Sequence, residues 1–323
     1  MKPLQLLIVT PVFNDWVSFA TLIKEVDDCI QNENIKISVL AVDDGSTSGS
    51  TINNKSFNHL KLINEIEILH LNCNLGHQRA IAIGLADSVE NKAFDAVVVM
   101  DSDGEDQPEH INLLLEQFRN NPDCIVVARR NKRTEGTGFR IGYYIYKLLF
   151  RLLTGVSITF GNFCLIPNAS LKRLVYLDSL WNHLAATILR SRLPFTMIAT
   201  NRGTRYADNP SMNINSLILL GLGAIAVYID IVLLRILLIS IILGLMTIVS
   251  IGIVTIIRFF TELAIPGWAS DVVGSLSIIF IQFLIVSIFV LFIILANRSQ
   301  RTFIPAKHYS DFIFKREIIF QRE

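Results

Sequence analysis

Acidic residues follow three short apolar segments in the first third of the chain. Asp15 lies shortly after the first segment, Asp43 and Asp44 follow the second, and Asp101 and Asp103 follow the third. In an extended segment, side chains two residues apart point to the same side, so the carboxylates of Asp101 and Asp103 can face one bound cation. A divalent ion such as Mg2+ or Mn2+ takes one or two carboxylates and completes its shell with water and phosphates. This spacing favours a site for a metal ion and a diphosphate; taken alone, each cluster also fits an Asp-rich turn that caps a helix.

Basic residues supply the opposite charge at two places. Arg129 and Arg130 follow a further apolar segment, and Arg202 and Arg205 precede the most apolar part of the chain. Because a guanidinium group can hold a phosphate through two hydrogen bonds, all four are candidates for a phosphate site. The alternatives are a solvated surface run for the first pair and anchoring to anionic lipid headgroups for the second.

The elements that must position these residues follow from an alternation of short apolar runs and longer amphipathic stretches. The apolar runs predict strands over 4–9, 37–42, 66–71, 96–100 and 124–128. The stretches between them predict helices over 17–30, 78–88 and 108–118. This pattern predicts an α/β fold with a Rossmann-like, mostly parallel sheet, whose ligands bind beyond the C-terminal ends of the strands. The acidic clusters stand at those ends.

The chain becomes strongly apolar after about residue 213, and its mean hydropathy is +0.47. The uncharged runs 236–257 and 272–296 are each longer than the roughly 20 residues that a helix needs to cross the hydrocarbon core. We therefore expect a transmembrane hairpin over 236–297. The preceding segment, 213–235, is apolar with polar interruptions, which favours an interfacial amphipathic helix; an extension of the first transmembrane helix is the alternative.

The charge distribution orients this hairpin and excludes some functions. The 323 residues carry a net charge of only +1, which argues against nucleic acid as a partner. The tail 298–323 is basic, whereas the connection between the two spans has Arg258 as its only basic residue. The positive-inside rule therefore places the tail and the N-terminal domain, 1–212, in the cytoplasm. The four cysteines form no C-x-x-C pair, and no signal peptide is expected at the N-terminus.

Taken in order, four motifs resemble those of family 2 glycosyltransferases, which have a GT-A fold. They are Pro11-Val12-Phe13-Asn14-Asp15, Val42-Asp43-Asp44-Gly45-Ser46, Gly76-His77-Gln78 and Met100-Asp101-Ser102-Asp103-Gly104-Glu105-Asp106-Gln107-Pro108-Glu109. The hairpin is similar to that of the polyisoprenyl-phosphate glycosyltransferases, down to Ile265-Pro266-Gly267-Trp268-Ala269-Ser270 between the spans. That group includes dolichyl-phosphate mannose synthases and bacterial undecaprenyl-phosphate glucosyltransferases.

The resemblance implies a role for each candidate residue. The set implied to bind the nucleotide-sugar donor is Pro11, Asn14, Asp15, Asp43, Asp44, Gly76, Gln78, Asp101 and Gln107. The implied catalytic set is Asp101, Asp103, Asp106 and Arg129, of which Asp101 and Asp103 hold Mg2+ or Mn2+. The set implied to hold the acceptor phosphate is Arg130, Asn162, Arg202 and Arg205. His77 is interpreted as structural.

Two segments depart from the family pattern. A Gly-Asp-Phe segment is often found where this chain has Gly161-Asn162-Phe163, and a Gly-x-Ser-Lys stretch where it has Asp208-Asn209-Pro210-Ser211-Met212. Asn162 removes a carboxylate that is sometimes assigned as a base. A base is dispensable if the nucleophile is a lipid phosphate, because the second pKa of a phosphate monoester, near 6, leaves it mostly dianionic at neutral pH.

The sequence thus predicts an inverting, metal-dependent enzyme of the bacterial plasma membrane that transfers a sugar from a nucleotide sugar to a polyisoprenyl phosphate. A processive polysaccharide synthase of the same fold is disfavoured, because such synthases usually carry a Gln-x-x-Arg-Trp motif and more spans, and this chain has no Arg-Trp dipeptide. The second alternative is a catalytically silent scaffold that binds a nucleotide sugar. Asn162 supports this alternative, whereas the retained acidic residues argue against it. Assembly into a homo-oligomer stays open.

Overall fold

The computed structural model describes residues 3–30, 34–48, 57, 59–130, 137–206, 214–261, 265, 267–299 and 302–322. The strands in these ranges form one sheet; in chain order they are β1 (Leu4–Val12), β2 (Ile35–Asp43), β3 (Ile63–Leu71), β4 (Ala96–Val99), β5 (Ile125–Arg130), β6 (Cys164–Pro167), β7 (Phe195–Thr200) and β8 (Ile313–Gln321). Their order across the sheet is β7-β5-β6-β4-β1-β2-β3-β8. β6 runs antiparallel to β4 and β5, and β8 antiparallel to β3; the other neighbours are parallel. The predicted α/β fold with a mostly parallel sheet is confirmed.

The helices of the described residues fall into two groups. Those that flank or follow the strands are α1 (Trp16–Cys29), α2 (His77–Asn91), α3 (His110–Asn120), α4 (Thr137–Thr154), α5 (Asn168–Leu174), α6 (Leu184–Ser191), α7 (Ile214–Ala226) and α10 (Pro305–His308). The two long apolar helices are α8 (Ile229–Phe260) and α9 (Trp268–Ser299). The three helices predicted in the first half of the chain correspond to α1, α2 and α3, the last of which begins at His110, two residues after Pro108.

Apolar residues cover both faces of the sheet. Within β1, Leu6 and Ile8 belong to one buried cluster, whereas Leu7 and Val9 belong to the cluster on the other face. This division follows from the alternation of side chains along a strand, and burial on both faces explains why the predicted strands read as continuous apolar runs. The five runs correspond to β1 through β5.

The C-terminal segment returns to the sheet. β8 pairs with β3, so the sheet and the segment 302–322 form one folded unit, although the two long apolar helices lie between them in sequence. Arg316 of β8 forms an ion pair with Asp87 of α2, whose carboxylate is fully buried. The segment described above as a basic tail therefore completes the sheet.

The second folded unit contains the long apolar helices and residues 147–156. α8 and α9 are 32 residues each, with mean hydropathies of 2.8 and 3.2 in their most apolar windows, and both are long and apolar enough to cross a membrane. They pack against each other, and the hydroxyl oxygens of Ser240 and Ser287 lie 2.7 Å apart. The segment 213–235 is divided: α7 ends at Ala226 within the sheet unit, and α8 begins at Ile229.

Candidate active site

The loops that follow β1 and β2 are joined by Asn14. Its backbone has a positive φ of 54°, and its side-chain oxygen accepts hydrogen bonds from the backbone N–H groups of Thr47 (2.9 Å) and Ser48 (3.1 Å). Next to it, Asp15 caps α1 by accepting from the N–H of Ser18. Of the residues predicted to bind the donor, Asn14 therefore fixes the shape of a loop and Asp15 starts a helix.

The two acidic residues at the end of β2 have different partners. Asp43 accepts from the N–H of Ser46 through one carboxylate oxygen, and its other oxygen lies 2.7 Å from Nδ1 of His70. Asp44 accepts from the N–H groups of Leu75 (2.7 Å) and Gly76 (2.9 Å), although burial raises its pKa. Asp44 thus holds the turn from which α2 starts.

The acidic loop, which we define as residues 101–106, follows β4 at the same edge of the sheet. Within it, Asp103 accepts from the N–H of Glu105 (3.0 Å), and Asp106 accepts from the N–H of Asp101 (3.1 Å). Burial and the nearby charge of Asp101 raise the pKa of Asp103. The same two causes raise the pKa of Asp106 to about 7. Burial acts on Asp101 too, but His77 and Arg130 outweigh it and leave the pKa of Asp101 below its ordinary value.

One oxygen of this loop is available to a cation. Oδ1 of Asp101 is buried and has no hydrogen-bond partner among the described residues. Nε2 of His77 lies 3.1 Å away, but the pair lacks the geometry of a hydrogen bond. No group of three or more His, Cys, Asp or Glu side chains in the described ranges is placed to hold a metal ion. An ion held by Asp101 and Asp103 would therefore need further ligands from substrate oxygens and water.

A chain of hydrogen bonds orients His77. The backbone N–H of Leu184 can only donate, so the atom of Gln78 that faces it at 2.9 Å is the amide oxygen. The amide nitrogen of Gln78 then donates to Oδ1 of Asn162 (3.0 Å), and Nδ2 of Asn162 faces Nε2 of His77 at 2.9 Å. Because Nδ2 can only donate, this contact favours the tautomer of His77 whose Nε2 is unprotonated.

Asp101 acts on His77 in the opposite sense. Burial lowers the pKa of His77, but the neighbouring carboxylate of Asp101 overcomes this and raises it above its ordinary value. Asn162 and Asp101 therefore favour different protonation states of the same ring. The side chain of His77, a residue interpreted above as structural, lies between Asp101 and Asn162. The only signal for this in the sequence is its position within the Gly76-His77-Gln78 motif.

Three of the predicted arginines contact the acidic loop. Arg130 donates to Asp106 (2.8 Å) and Glu105 (2.9 Å). Arg202 and Arg205 both donate to the other oxygen of Glu105, and Arg205 also lies 3.3 Å from Asp103. Glu105 has no predicted role, and no pattern in the sequence distinguishes it from its acidic neighbours.

The remaining predicted residues lie around this cluster. Arg129 is exposed, and no hydrogen bond or ion pair connects it to the acidic loop within the described part of the chain. Arg129 and Arg130 are adjacent on β5, and since adjacent side chains of a strand point to opposite faces, only Arg130 reaches the loop. The carbonyl of Pro11 accepts from the hydroxyl of Ser102 (3.2 Å), and Gln107 packs beside Gly203.

The mostly parallel sheet and the acidic loop after β4 define a protein of the GT-A class. The model of the family described as glycosyl transferase family 2 matches residues 7–176, more than half of the chain. The chain belongs to this family.

Curated relatives include sugar transferases that act on polyprenyl phosphates. The undecaprenyl-phosphate 4-deoxy-4-formamido-L-arabinose transferase of Aeromonas hydrophila is 29% identical over 39% of this chain and 37% of its own length. The dodecaprenyl-phosphate galacturonate synthase of Rhizobium johnstonii is 25% identical over 49% of this chain and 46% of its own length. The chain thus spans less than half the length of these two relatives.

The fold is also similar to that of a solved enzyme, the glucosyl-3-phosphoglycerate synthase of Mycobacterium tuberculosis in complex with phosphoglyceric acid. The TM-score is 0.50 at 14% identity, and the match covers 70% of this chain and 79% of that one. The same enzyme has been crystallised with Mn2+ and uridine-diphosphate-glucose. At this identity, the likeness shows the fold alone.

Proposed function

We propose that the protein transfers a sugar from a nucleotide-diphosphate sugar to a polyisoprenyl phosphate at the cytoplasmic surface of a bacterial plasma membrane. The observation that carries the proposal is the position of the acidic loop. Asp101 and Asp103, which suit a metal ion and a diphosphate, lie in the same loop as Glu105, on which Arg130, Arg202 and Arg205 converge. A donor site and a phosphate site are thus adjacent.

On the donor side, the residues of this chain bind and position the substrate. Asp43, Asp44 and Asn14 hold the loops at the ends of β1 and β2, where the nucleoside is proposed to lie. Asp101 and Asp103 would hold Mg2+ or Mn2+, which when bound neutralises charge on the departing diphosphate. Asp106 and Gln107 are proposed to face the sugar.

On the acceptor side, the arginines position a nucleophile that carries its own charge. An oxygen of the lipid phosphate attacks the anomeric carbon, the bond from that carbon to the donor diphosphate breaks, and the nucleoside diphosphate leaves. A single displacement inverts the anomeric centre. No proton has to be removed from a dianionic phosphate, which agrees with the amide of Asn162 where the family pattern described above often has Asp.

The connectivity of the chain supports the membrane assignment. The chain leaves the sheet unit after Val227 and returns to it at Thr302. The two helices between these points are apolar enough to cross a membrane. Because β8 pairs with β3, residues before and after the hairpin lie on one side of any membrane that it crosses. The polyprenyl-phosphate substrates of two relatives provide the acceptor class.

The donor half of the proposal is tested by nucleotide binding. Titration calorimetry with uridine diphosphate and guanosine diphosphate, with and without Mn2+, is expected to show metal-dependent binding of one of them. Asp103→Asn should weaken that binding, since it removes a carboxylate proposed to hold the ion. Asp123→Asn, at an exposed position outside the site, is the matched control. Equal nucleotide affinity in Asp103→Asn and the wild type would contradict the assignment.

A further inference from the structure

Glu105 connects three arginines that come from separate parts of the chain. Arg130 ends β5, and Arg202 and Arg205 follow β7. One carboxylate oxygen of Glu105 accepts from Nη1 of Arg130 at 2.9 Å, and the other accepts from Nη2 of Arg202 and from Nε of Arg205, the latter at 2.7 Å. Three guanidinium groups brought this close repel one another unless an anion lies between them.

The burial of these four side chains is unequal. The side chain of Glu105 is 8% exposed, whereas those of Arg130, Arg202 and Arg205 are 33%, 28% and 27% exposed. The carboxylate therefore lies beneath the guanidinium groups, which reach the solvent. Each guanidinium has five N–H donors. Glu105 accepts from one donor of each group, Asp106 accepts from a second donor of Arg130, and Asp103 lies 3.3 Å from Arg205. The solvent-exposed side of the cluster is where a second anion is expected to bind.

The backbone fixes Glu105 in this position. The N–H of Gly203 donates to the carbonyl of Glu105 (2.9 Å), and the N–H of Tyr206 donates to the carbonyl of Asp103 (3.0 Å). A Cβ atom at Gly203 would lie 2.2 Å from the carbonyl oxygen of Gly104, so only glycine permits this close approach of the two segments. The acidic loop and the segment that carries two of the arginines are thus held together around the Glu105 side chain.

We propose that Glu105 is a positioning residue that gathers Arg130, Arg202 and Arg205 into one binding site for the acceptor phosphate. The inference rests on the proposed function for the identity of that phosphate. Glu105 acts through the arginines and does not touch the substrate.

For Glu105→Gln, the proposal predicts weaker phosphate binding, whereas the change in net charge alone predicts stronger binding. Glu105→Gln makes the site more positive by one charge, and a simple attraction would then bind anions more tightly. If Glu105 instead holds the arginines in place, its loss lets them separate, and phosphate binding should weaken by about tenfold to a hundredfold. Glu105→Asp, which keeps the charge on a shorter side chain, should weaken it less than Glu105→Gln.

The experiment is a titration of the purified full-length protein with citronellyl phosphate, with citronellol as the ligand that lacks the phosphate. Glu109→Gln is the matched control, because Glu109 is exposed and lies only four residues away. We expect Glu105→Gln to lose affinity for citronellyl phosphate while the affinity for the donor nucleotide stays unchanged. In the double variant with Arg202→Ala, the two losses should be less than additive, since Glu105 acts partly through Arg202.

Each other outcome counts against the inference. Equal or tighter binding of citronellyl phosphate by Glu105→Gln would overturn it and leave the proposed function intact. Absence of phosphate-dependent binding by the wild type would overturn it together with the proposed acceptor. If Glu105→Gln does not fold, Glu105→Asp provides the same comparison, and an affinity equal to that of the wild type would overturn the inference.

Discussion

Asn162 presents its amide nitrogen to Nε2 of His77 at 2.9 Å, and Oδ1 of Asp101 lies 3.1 Å from the same ring nitrogen. In Asn162→Asp, a carboxylate replaces the amide, so both neighbours of the ring favour the imidazolium. A protonated His77 would then neutralise Asp101, which is proposed to hold the metal ion. The protonation state of His77 therefore depends on the residue at position 162.

We accordingly expect Asn162→Asp to raise the pKa of His77 further and to give no increase in the transfer rate. NMR titration of protein with 15N-labelled histidine measures the first effect, and steady-state kinetics with both substrates varied measures the second. Asn162→Ala, which removes the amide without adding charge, serves as the comparison. A large rate gain in Asn162→Asp would refute the mechanism without a base.

The pKa of about 7 for Asp106 predicts a pH dependence of stability. Burial is its main cause, followed by the charge of Asp101, and Arg130 opposes both. Between about pH 4, the ordinary pKa of an aspartate, and about pH 7, Asp106 of the folded protein holds a proton that the unfolded chain has released. The free energy of unfolding should therefore fall as pH rises through this range. Asp106→Asn lacks this proton and should show a smaller slope. Urea unfolding at pH 5, 6, 7 and 8 measures both proteins, and identical slopes would contradict the assignment.

Arg316 should stabilise the fold through Asp87. Replacing Arg316 by Ala leaves the fully buried carboxylate of Asp87 without its cationic partner. The side chain of Arg316 is itself 36% exposed. Because the guanidinium is partly solvated, we expect a loss of about 1–3 kcal/mol, below the cost of breaking a fully buried pair. Lys315→Ala, at an exposed pair with Glu317, should cost less than about 1 kcal/mol. Equal unfolding midpoints for the two variants would show that β8 does not depend on this contact.

The first five strands could be predicted because local pattern determines them. β1 through β5 are short apolar runs buried on both faces, which periodicity detects. β6 is as short as β4 but ends in a proline, and polar residues interrupt the apolar residues of β7 and β8, so none of the three forms a continuous apolar run. β8 also pairs with a strand far away in the sequence, and no local signal reports such a partner.

The site was predictable to the extent that its residues share one motif. Asp101 and Asp103 are two residues apart, so their spacing suggested that both carboxylates face one side, although taken alone it fitted a helix-capping turn as well. The contacts of His77 with Asn162 and of Glu105 with Arg205 span 85 and 100 residues, so only the fold brings them together. Arg129 and Arg130 could not be distinguished before the register of β5 was known.

Cysteine labelling tests the orientation in the membrane. In a background without the four native cysteines, Thr47→Cys and Ser310→Cys should react with a membrane-impermeant maleimide only after bacterial cells are permeabilised. Ser270→Cys should react in intact cells, because Ser270 follows the turn between the two apolar helices. All three positions are exposed. Protection of Ser270→Cys in intact cells would indicate a hairpin that does not cross the membrane.

The most direct test of the proposed function is sugar transfer to lipid. Purified protein in detergent is incubated with Mg2+ or Mn2+, undecaprenyl phosphate and a panel of radiolabelled nucleotide sugars, and the lipid is then extracted. We predict label in the lipid fraction with one donor, one sugar per lipid, no label with undecaprenol, and loss of label on chelation of the metal or in Asp103→Asn. Label in no lipid fraction with any donor, polymeric product, or full activity in excess chelator would contradict the account.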